Sequence, residues 1–243
     1  MKSQAAIRYW LVVPAAGGGR RFGSELPKQY SPLAGRSLIE WTLAPFLGDA
    51  RCFGVVVALA IDDHRFASLP VSRHPRVTTV PGGKERSDSV RLALDALAAN
   101  GSANQSAKES DWVLVHDAAR PCVSPEEIDA LLDAPADDIG AVLAVPVADT
   151  LKRADAQGLV GGTVDRAALW RALTPQMFRL GLLRTALAAA GRSGRVPTDE
   201  SQAVEWLGHR PRLVRGNPRN IKVTEPGDLA LAAFILSQGS PGQ

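Results

Sequence analysis

The chain is poor in the residues that make disulfide frameworks and metal cages. It has two cysteines, Cys52 and Cys122, no CxxC pair and four scattered histidines. That usage excludes a disulfide scaffold and argues against a zinc site. Long apolar runs are missing too: the longest, Phe53 to Ile61, falls far short of the roughly 20 residues of a membrane-spanning helix. Charge of one sign is scarce, with a net of +3, so no nucleic-acid partner is expected. Lys2 and Arg8 precede an apolar stretch that breaks at Pro14, which leaves no readable signal peptide and points to a cytoplasmic protein. What remains is ordinary: 243 residues, 45% hydrophobic and 22% charged. Such a chain is too apolar for disorder and long enough to bury a core.

Its patterning alternates. Ile7 to Val13, Gly54 to Leu59, Val77 to Val80, Trp112 to Val115 and Ile139 to Val145 are short β-prone runs. Between them lie helix signals. Ser37-Leu-Ile-Glu40 is a capping box opening a helix to about Leu47, and Val90, Ala93, Leu94 and Leu97 share one face of a helix from about Ser87 to Ala99. Ser124-Pro125-Glu126-Glu127 combines an N-cap, a proline at N1 and first-turn acids. Later helices are expected at about Leu180 to Ala190, stopped by Gly191, then after a Thr198 cap and up to Gly208, and from about Pro226 to Ser237. Arg212 to Val214 and Ile221 to Val223 read as strands. Strands alternating with helices predict an α/β fold with a mostly parallel sheet under helices on both faces. The rhythm breaks at about 147–170, whose β-like pieces around Gly161-Gly162 predict a protruding hairpin arm. No repeat or linker divides the chain, so one domain over 1–243 is expected.

Chemistry in such sheets gathers beyond the carboxyl ends of the strands. The first strand runs into Pro14-Ala-Ala-Gly-Gly-Gly-Arg-Arg-Phe-Gly23, closely followed by Pro27-Lys28-Gln29. Consecutive glycines let backbone N–H groups approach an anion, and Arg20, Arg21 and Lys28 supply charge: a polyphosphate cradle. Ser24-Glu25 stand where a Walker loop needs Lys-Ser/Thr, and Phe22 breaks the dinucleotide fingerprint. A plain glycine turn with solvated arginines is the alternative. His116-Asp117-Ala-Ala-Arg120-Pro121 follows the Trp112 strand. Asp117 is placed either to share a Mg²⁺ ion with substrate phosphates or to cap the turn in a pair with Arg120. His116 reads as a packing residue. Pro81-Gly-Gly-Lys-Glu-Arg-Ser-Asp-Ser89 offers backbone groups and the Ser89 hydroxyl to a base, or merely caps its helix through Ser87 or Asp88. Trp41, Trp170 and Trp206 on helical faces, and Trp10 and Trp112 in strands, read as core.

Taken together, PAAGGGRRFGSELPKQY, GGKERSDSV, VHDAARP, TVDR with LTPQ, TDES and NIKVT stand in the order seen in the 2-C-methyl-D-erythritol 4-phosphate cytidylyltransferase family of the non-mevalonate isoprenoid pathway. The resemblance runs from about Leu11 to Leu236. It implies a Rossmann-like, three-layer nucleotidyltransferase fold and a homodimer joined through the arm. The implied reaction takes CTP and methylerythritol phosphate to 4-diphosphocytidyl-methylerythritol and pyrophosphate, with Mg²⁺ as cofactor.

By the same resemblance Arg21, Lys28 and Lys222 match the cations around the CTP phosphates, and Asp117 the carboxylate at the metal. Ala15, Ala16, Gly17, Gly83, Ser89 and Ala118 match nucleotide contacts. Arg120, Arg166, Thr174 and Thr198 match positions around the acceptor, with Arg166 and Thr174 supplied by the partner's arm. Lys84 departs from a frequent Asp, Gly18 replaces a frequent larger residue, and the Gly101 to Ser110 loop is longer than usual. A cytidylyltransferase for another polyol phosphate, such as ribitol 5-phosphate, and a non-catalytic nucleotide-binding module are the two rival readings.

Overall fold

A computed structural model describes residues 7–17, 26–100, 107–134 and 139–238 of the chain. The first strand, β1 (Tyr9–Ala15), is buried on both sides. Tyr9, Leu11 and Val13 face one apolar layer, and Trp10 and Val12 face the other. Apolar side chains at every position suit a strand covered by helices on both faces. A small antiparallel pair, β2 (Pro32–Leu33) and β3 (Arg36–Ser37), leads into α1 (Leu38–Gly48). The Ser37 capping box is formed: the Glu40 carboxylate accepts from the Ser37 backbone N–H at 2.9 Å and from its hydroxyl at 2.7 Å.

β4 (Cys52–Leu59), β5 (Val77–Pro81) and α2 (Arg86–Asn100) follow. The predicted stripe of Val90, Ala93, Leu94 and Leu97 is fully buried. β6 (Trp112–Val115), α3 (Pro125–Leu132) and β7 (Gly140–Pro146) match the sequence reading closely, and Ser124 caps α3 by accepting from the Glu127 N–H. β8 (Leu151–Ala154) and β9 (Val160–Val164) form the expected hairpin, a separate two-stranded sheet. Then come β10 (Trp170–Arg179), α4 (Leu180–Arg192), α5 (Glu200–Glu205), β11 (Arg212–Arg215) and α6 (Asp228–Gln238).

The central sheet has seven strands in the order β11-β7-β10-β6-β1-β4-β5. Every neighbouring pair is parallel except those of β10, which runs antiparallel to both β6 and β7. The fold is three-layer α/β. α1 and α3 pack on one face, and α2, α4 and α5 on the other. A smaller cluster of Leu33, Leu38, Ala119, Cys122, Val223 and Ala232 seats α6. From β1 the chain builds outward to β4 and β5, then returns to place β6 on the opposite side. That reversal is a topological switch point, where sheets of this type open a crevice.

Several local expectations are corrected. β10 carries no periodic signal, because Thr174, Pro175 and Gln176 interrupt it; its register to β7 is irregular between Ala172 and Gln176. Trp170 opens this strand at 38% exposure instead of packing on a helix. Ile221 to Val223 makes no ladder, although the Val223 N–H donates to the Ala119 carbonyl at 2.8 Å. Helix α4 passes through Gly191 and is followed by Gly194 at φ +67°, a left-handed position that glycine takes without strain. The cap of α5 is Asp199, whose carboxylate accepts from the Gln202 N–H, and not Thr198. Within the predicted 101–110 loop, 101–106 lie outside the described residues.

Candidate active site

Three strand ends meet at the switch point. β1 delivers Ala15, Ala16 and Gly17, β5 delivers Gly83 and the start of α2, and β6 delivers Asp117 and Ala118. With Lys28, Lys222 and Thr224 they border a cleft of about 590 Å³. The loops approach closely because glycine allows it. A Cβ on Gly82 would stand 2.4 Å from the Ala16 Cβ and 2.9 Å from the Ser89 hydroxyl. Two hydrogen bonds fix the rims: buried Gln29 donates to the Ala15 carbonyl at 2.9 Å, and the Gly83 N–H donates to the Ser89 hydroxyl at 3.1 Å. Lys28 donates to the Val223 carbonyl at 3.1 Å, on the opposite rim.

The centre of the cleft is Asp117. One carboxylate oxygen accepts from Arg86 Nε at 2.9 Å; the other lies 2.8 Å from Lys222 Nζ and 3.5 Å from Arg120 Nε. Burial by itself would raise its pKa. Arg86, Lys222 and Arg120 outweigh that and hold the carboxyl well below the usual carboxylate range. Arg86 is balanced in turn. Its two terminal nitrogens donate to both oxygens of Glu200 at 2.6 and 3.0 Å, so its guanidinium joins two carboxylates in a planar fork.

Burial lowers the Arg86 pKa, but the Glu200 and Asp117 carboxylates more than reverse this and keep it charged. For Arg120 desolvation prevails and the pKa falls, despite the nearby Asp117. Arg120 also donates to the Asn220 carbonyl at 2.8 Å, and buried Asn220 donates to the Thr174 carbonyl at 2.9 Å.

Behind Asp117 lies a second, neutral layer. The Asp117 N–H donates to the Thr174 hydroxyl at 3.0 Å, and that oxygen is 3.1 Å from His116 Nδ1. His116 Nε2 lies 3.1 Å from the Arg120 carbonyl, which only accepts. The imidazole must therefore carry its proton on Nε2 and receive the Thr174 hydroxyl hydrogen on Nδ1. Burial, the largest influence, lowers the His116 pKa to about 4. His116 is thus a neutral packing residue, as its sequence position suggested.

The structure brings together Ala15, Ala16, Gly17, Lys28, Gly83, Ser89, Asp117, Ala118 and Lys222 around the cleft. Arg21 and Gly18 lie outside the described residues. Arg120 is buried beneath Asp117. Thr174 is a correction: it belongs to β10, not to the arm, and its hydroxyl is buried against Asp117 and His116 of its own chain. Thr198 is exposed just before α5, with its N–H donating to the Gln202 side chain at 2.9 Å. Arg166 stands at the base of the arm, donating to the Ala148 carbonyl.

Of the two readings weighed from sequence, the pairing of Asp117 with Arg120 is present, and the Arg120 N–H also donates to the Asp117 carbonyl at 3.1 Å. Arg120 is nonetheless its most distant cation, and Arg86 and Lys222 are its close partners. Arg86, Glu200 and Gln29 were not assigned from sequence, although they sit inside the GGKERSDSV, TDES and PKQY motifs. Charge next to a strand-end glycine pair was the available signal for Arg86.

Known proteins resemble this chain over most of its length. The family model described as 2-C-methyl-D-erythritol 4-phosphate cytidylyltransferase matches residues 9–238. A curated relative of that name from Ectopseudomonas mendocina is 54% identical over 226 residues, covering 93% of this chain and 94% of its own. The one from Vibrio vulnificus is 49% identical over 228 residues, covering 93% and 94%. Among solved structures, a 4-diphosphocytidyl-2C-methyl-D-erythritol synthase superposes with a TM-score of 0.81 at 37% identity, over 95% of this chain and 99% of that one. The Thermus thermophilus 2-C-methyl-D-erythritol 4-phosphate cytidylyltransferase gives 0.77 at 34% identity, over 95% and 100%. Matches of this length and identity, on a fold of the same topology, leave one assignment: the chain belongs to the 2-C-methyl-D-erythritol 4-phosphate cytidylyltransferase family.

Proposed function

We propose that the chain transfers the cytidylyl group of CTP to 2-C-methyl-D-erythritol 4-phosphate, giving 4-diphosphocytidyl-2-C-methyl-D-erythritol and pyrophosphate. The observation that carries this reading is the convergence of Lys28, Lys222 and Arg86 on a glycine-bordered cleft around the buried carboxylate of Asp117. The chemistry follows from charge. The acceptor phosphate is already an anionic nucleophile, so no general base is needed, and neutral, buried His116 is not one. The barrier is the meeting of two anions and the charge that builds as pyrophosphate leaves. Lys28, Lys222 and Arg21 answer it electrostatically, while the rims formed by Ala15, Ala16, Gly17, Gly83, Ser89 and Ala118 orient the nucleotide.

The cleft suits a Mg²⁺ ion that takes most of its ligands from substrate. It offers one deep carboxylate, Asp117, and the described residues include no group of three or more His, Cys, Asp or Glu placed to hold a metal. Asp117 would hold the ion, and bound Mg²⁺ would neutralise phosphate charge. Lys222, now on Asp117, would then turn to the phosphates.

On the acceptor side we assign Arg120, Arg166, Thr174 and Thr198, the buried Arg120 and Thr174 acting by shaping the wall behind Asp117. The whole chain serves as one nucleotidyltransferase domain, and the arm joins two copies. In support, Leu159 and Val160 at its tip are 67% and 69% exposed, and an isolated two-stranded hairpin is marginal in water. No helix among the described residues is long and apolar enough to cross a membrane, which accords with the proposed cytoplasmic location.

The test is pyrophosphate release from CTP and Mg²⁺ with methylerythritol phosphate or ribitol 5-phosphate as acceptor. Turnover with the first alone is expected. Turnover only with ribitol phosphate overturns the acceptor, and binding of CTP without turnover on either favours a non-catalytic module.

A further inference from the structure

Arg86 and Glu200 carry no step of the chemistry above, yet they form a bidentate ion pair at the edge of the site. Glu200 is 1% exposed, at the first turn of α5. Its surroundings are fixed. Gln176 of β10 donates to the Asp199 carboxylate at 2.9 Å and accepts from the Ser201 N–H at 2.9 Å, so the residues on both sides of Glu200 are tied to the sheet. From that anchor the carboxylate grips both terminal nitrogens of Arg86, which leaves only Nε pointing at Asp117. A guanidinium held at two nitrogens has no torsional freedom at the third.

We propose that Glu200 and Arg86 are a positioning pair for Asp117: anchored Glu200 aims Arg86 so that its Nε holds one Asp117 oxygen, which leaves the other oxygen to face the cation that accompanies the nucleotide. Neither residue need touch the acceptor. The proposal rests on the reading of the cleft as the CTP site. It differs from a role as bulk charge, because neutralising Glu200 adds net positive charge to the cleft and by electrostatics alone strengthens CTP binding.

The experiment is titration calorimetry of CTP, with and without Mg²⁺, on the wild type and Glu200→Gln, alongside melting curves and steady-state turnover. In the wild type Mg²⁺ should tighten CTP binding. In Glu200→Gln that gain should be lost, while Mg²⁺-free CTP binding stays equal or becomes tighter and kcat falls about 10- to 100-fold, the scale set by a small misplacement. Arg86→Lys is the second variant, read per folded molecule if the first melts early. Its point charge cannot span both carboxylates and should lose the same Mg²⁺ gain. A Mg²⁺ gain retained in both variants, or kcat unchanged per folded molecule, overturns the positioning role while leaving the proposed reaction intact. A wild type that binds CTP in neither condition overturns the functional reading itself, and this inference with it.

Discussion

The cleft around Asp117 and the β8–β9 arm are both polar, loop-bounded and tied by the family resemblance to substrate, but they are held in opposite ways. At the cleft, Asp117 is reached by three cations and a backbone-to-hydroxyl hydrogen bond, and Arg86, Arg120 and Thr174 each have a further partner in the same chain. On the arm, residues 155–163 are exposed throughout. Beyond its own ladder the arm is held by local bonds: Lys152 donates to the Thr163 hydroxyl at 2.6 Å, Asp155 organises the turn, and Arg166 donates to the Ala148 carbonyl at the base. A site whose geometry is over-determined by its own chain can be pre-organised before substrate arrives. In the proposed dimer, a hairpin with so little behind it would take its working geometry from the copy it docks against.

The comparison breaks most sharply at the cleft cations. Lys222→Ala and Lys28→Ala should each lower kcat about 10²- to 10³-fold, the range for losing one preorganised charge at a transition state. Melting should shift little, because Lys222 is 40% exposed and Asp117 keeps Arg86 and Arg120. Near-normal turnover in either variant would remove it from the mechanism.

The neutral layer behind Asp117 makes a pH prediction. Folded His116 stays neutral down to about pH 4, whereas in the unfolded chain it takes a proton near its ordinary value of 6.5. Between those values the unfolded state binds more protons, so stability should fall as pH drops from 6.5 to 4, by on the order of 3 kcal/mol. Asp117, whose folded pKa is depressed, contributes fully above the ordinary carboxylate pKa and loses that contribution only as pH falls below it. Urea unfolding at pH 7, 5.5 and 4.5 should show the slope in the wild type and a flatter one in His116→Gln; equal slopes would refute the neutral buried imidazole.

Gly82→Ala is the next smaller perturbation. The new methyl would stand 2.4 Å from the Ala16 Cβ, which forces the two nucleotide rims apart at a cost of about 1–3 kcal/mol. The KM for CTP should rise more than that for the acceptor. The smallest effect is expected on the arm: Leu159→Ser should change the stability of the monomer by under about 0.5 kcal/mol. If the arm joins two copies, sedimentation should show the dimer weakened. Mixing Arg166→Ala with Lys28→Ala subunits should then restore some turnover through hybrid sites.

Elements with a strong local code were legible from the chain alone. The capping boxes at Ser37 and Ser124, the Val90 to Leu97 stripe and the hairpin arm appear where the residues place them, but the arm turns at Asp155 to Leu159, with Gly158 at φ +81°, while Gly161 and Gly162 lie inside β9. β10 was illegible because Thr174, Pro175 and Gln176 break its alternation, and a strand between two neighbours needs no pattern of its own if its ladder partners define it. Ile221 to Val223 failed in the other direction. Its β-branched composition suits a strand, but its Val223 N–H is taken by the Ala119 carbonyl in the loop after β6, and Val223 packs beneath α6 instead. Arg86 and Glu200 are 114 positions apart, and no spacing rule joins them.

The layer architecture, the capped starts of α1 and α3 and the family are written in the linear chain. Those follow from periodicity, capping chemistry and ordered motifs, all of which act over a few residues or survive as a linear string. Only the tertiary structure decided that β10 runs antiparallel through the sheet, that Thr174 backs Asp117 within its own chain, and that Arg86 links Asp117 to Glu200. Each of these depends on which distant strand ends meet at the switch point, where burial makes an unpaired charge costly and so selects partners the chain does not place nearby.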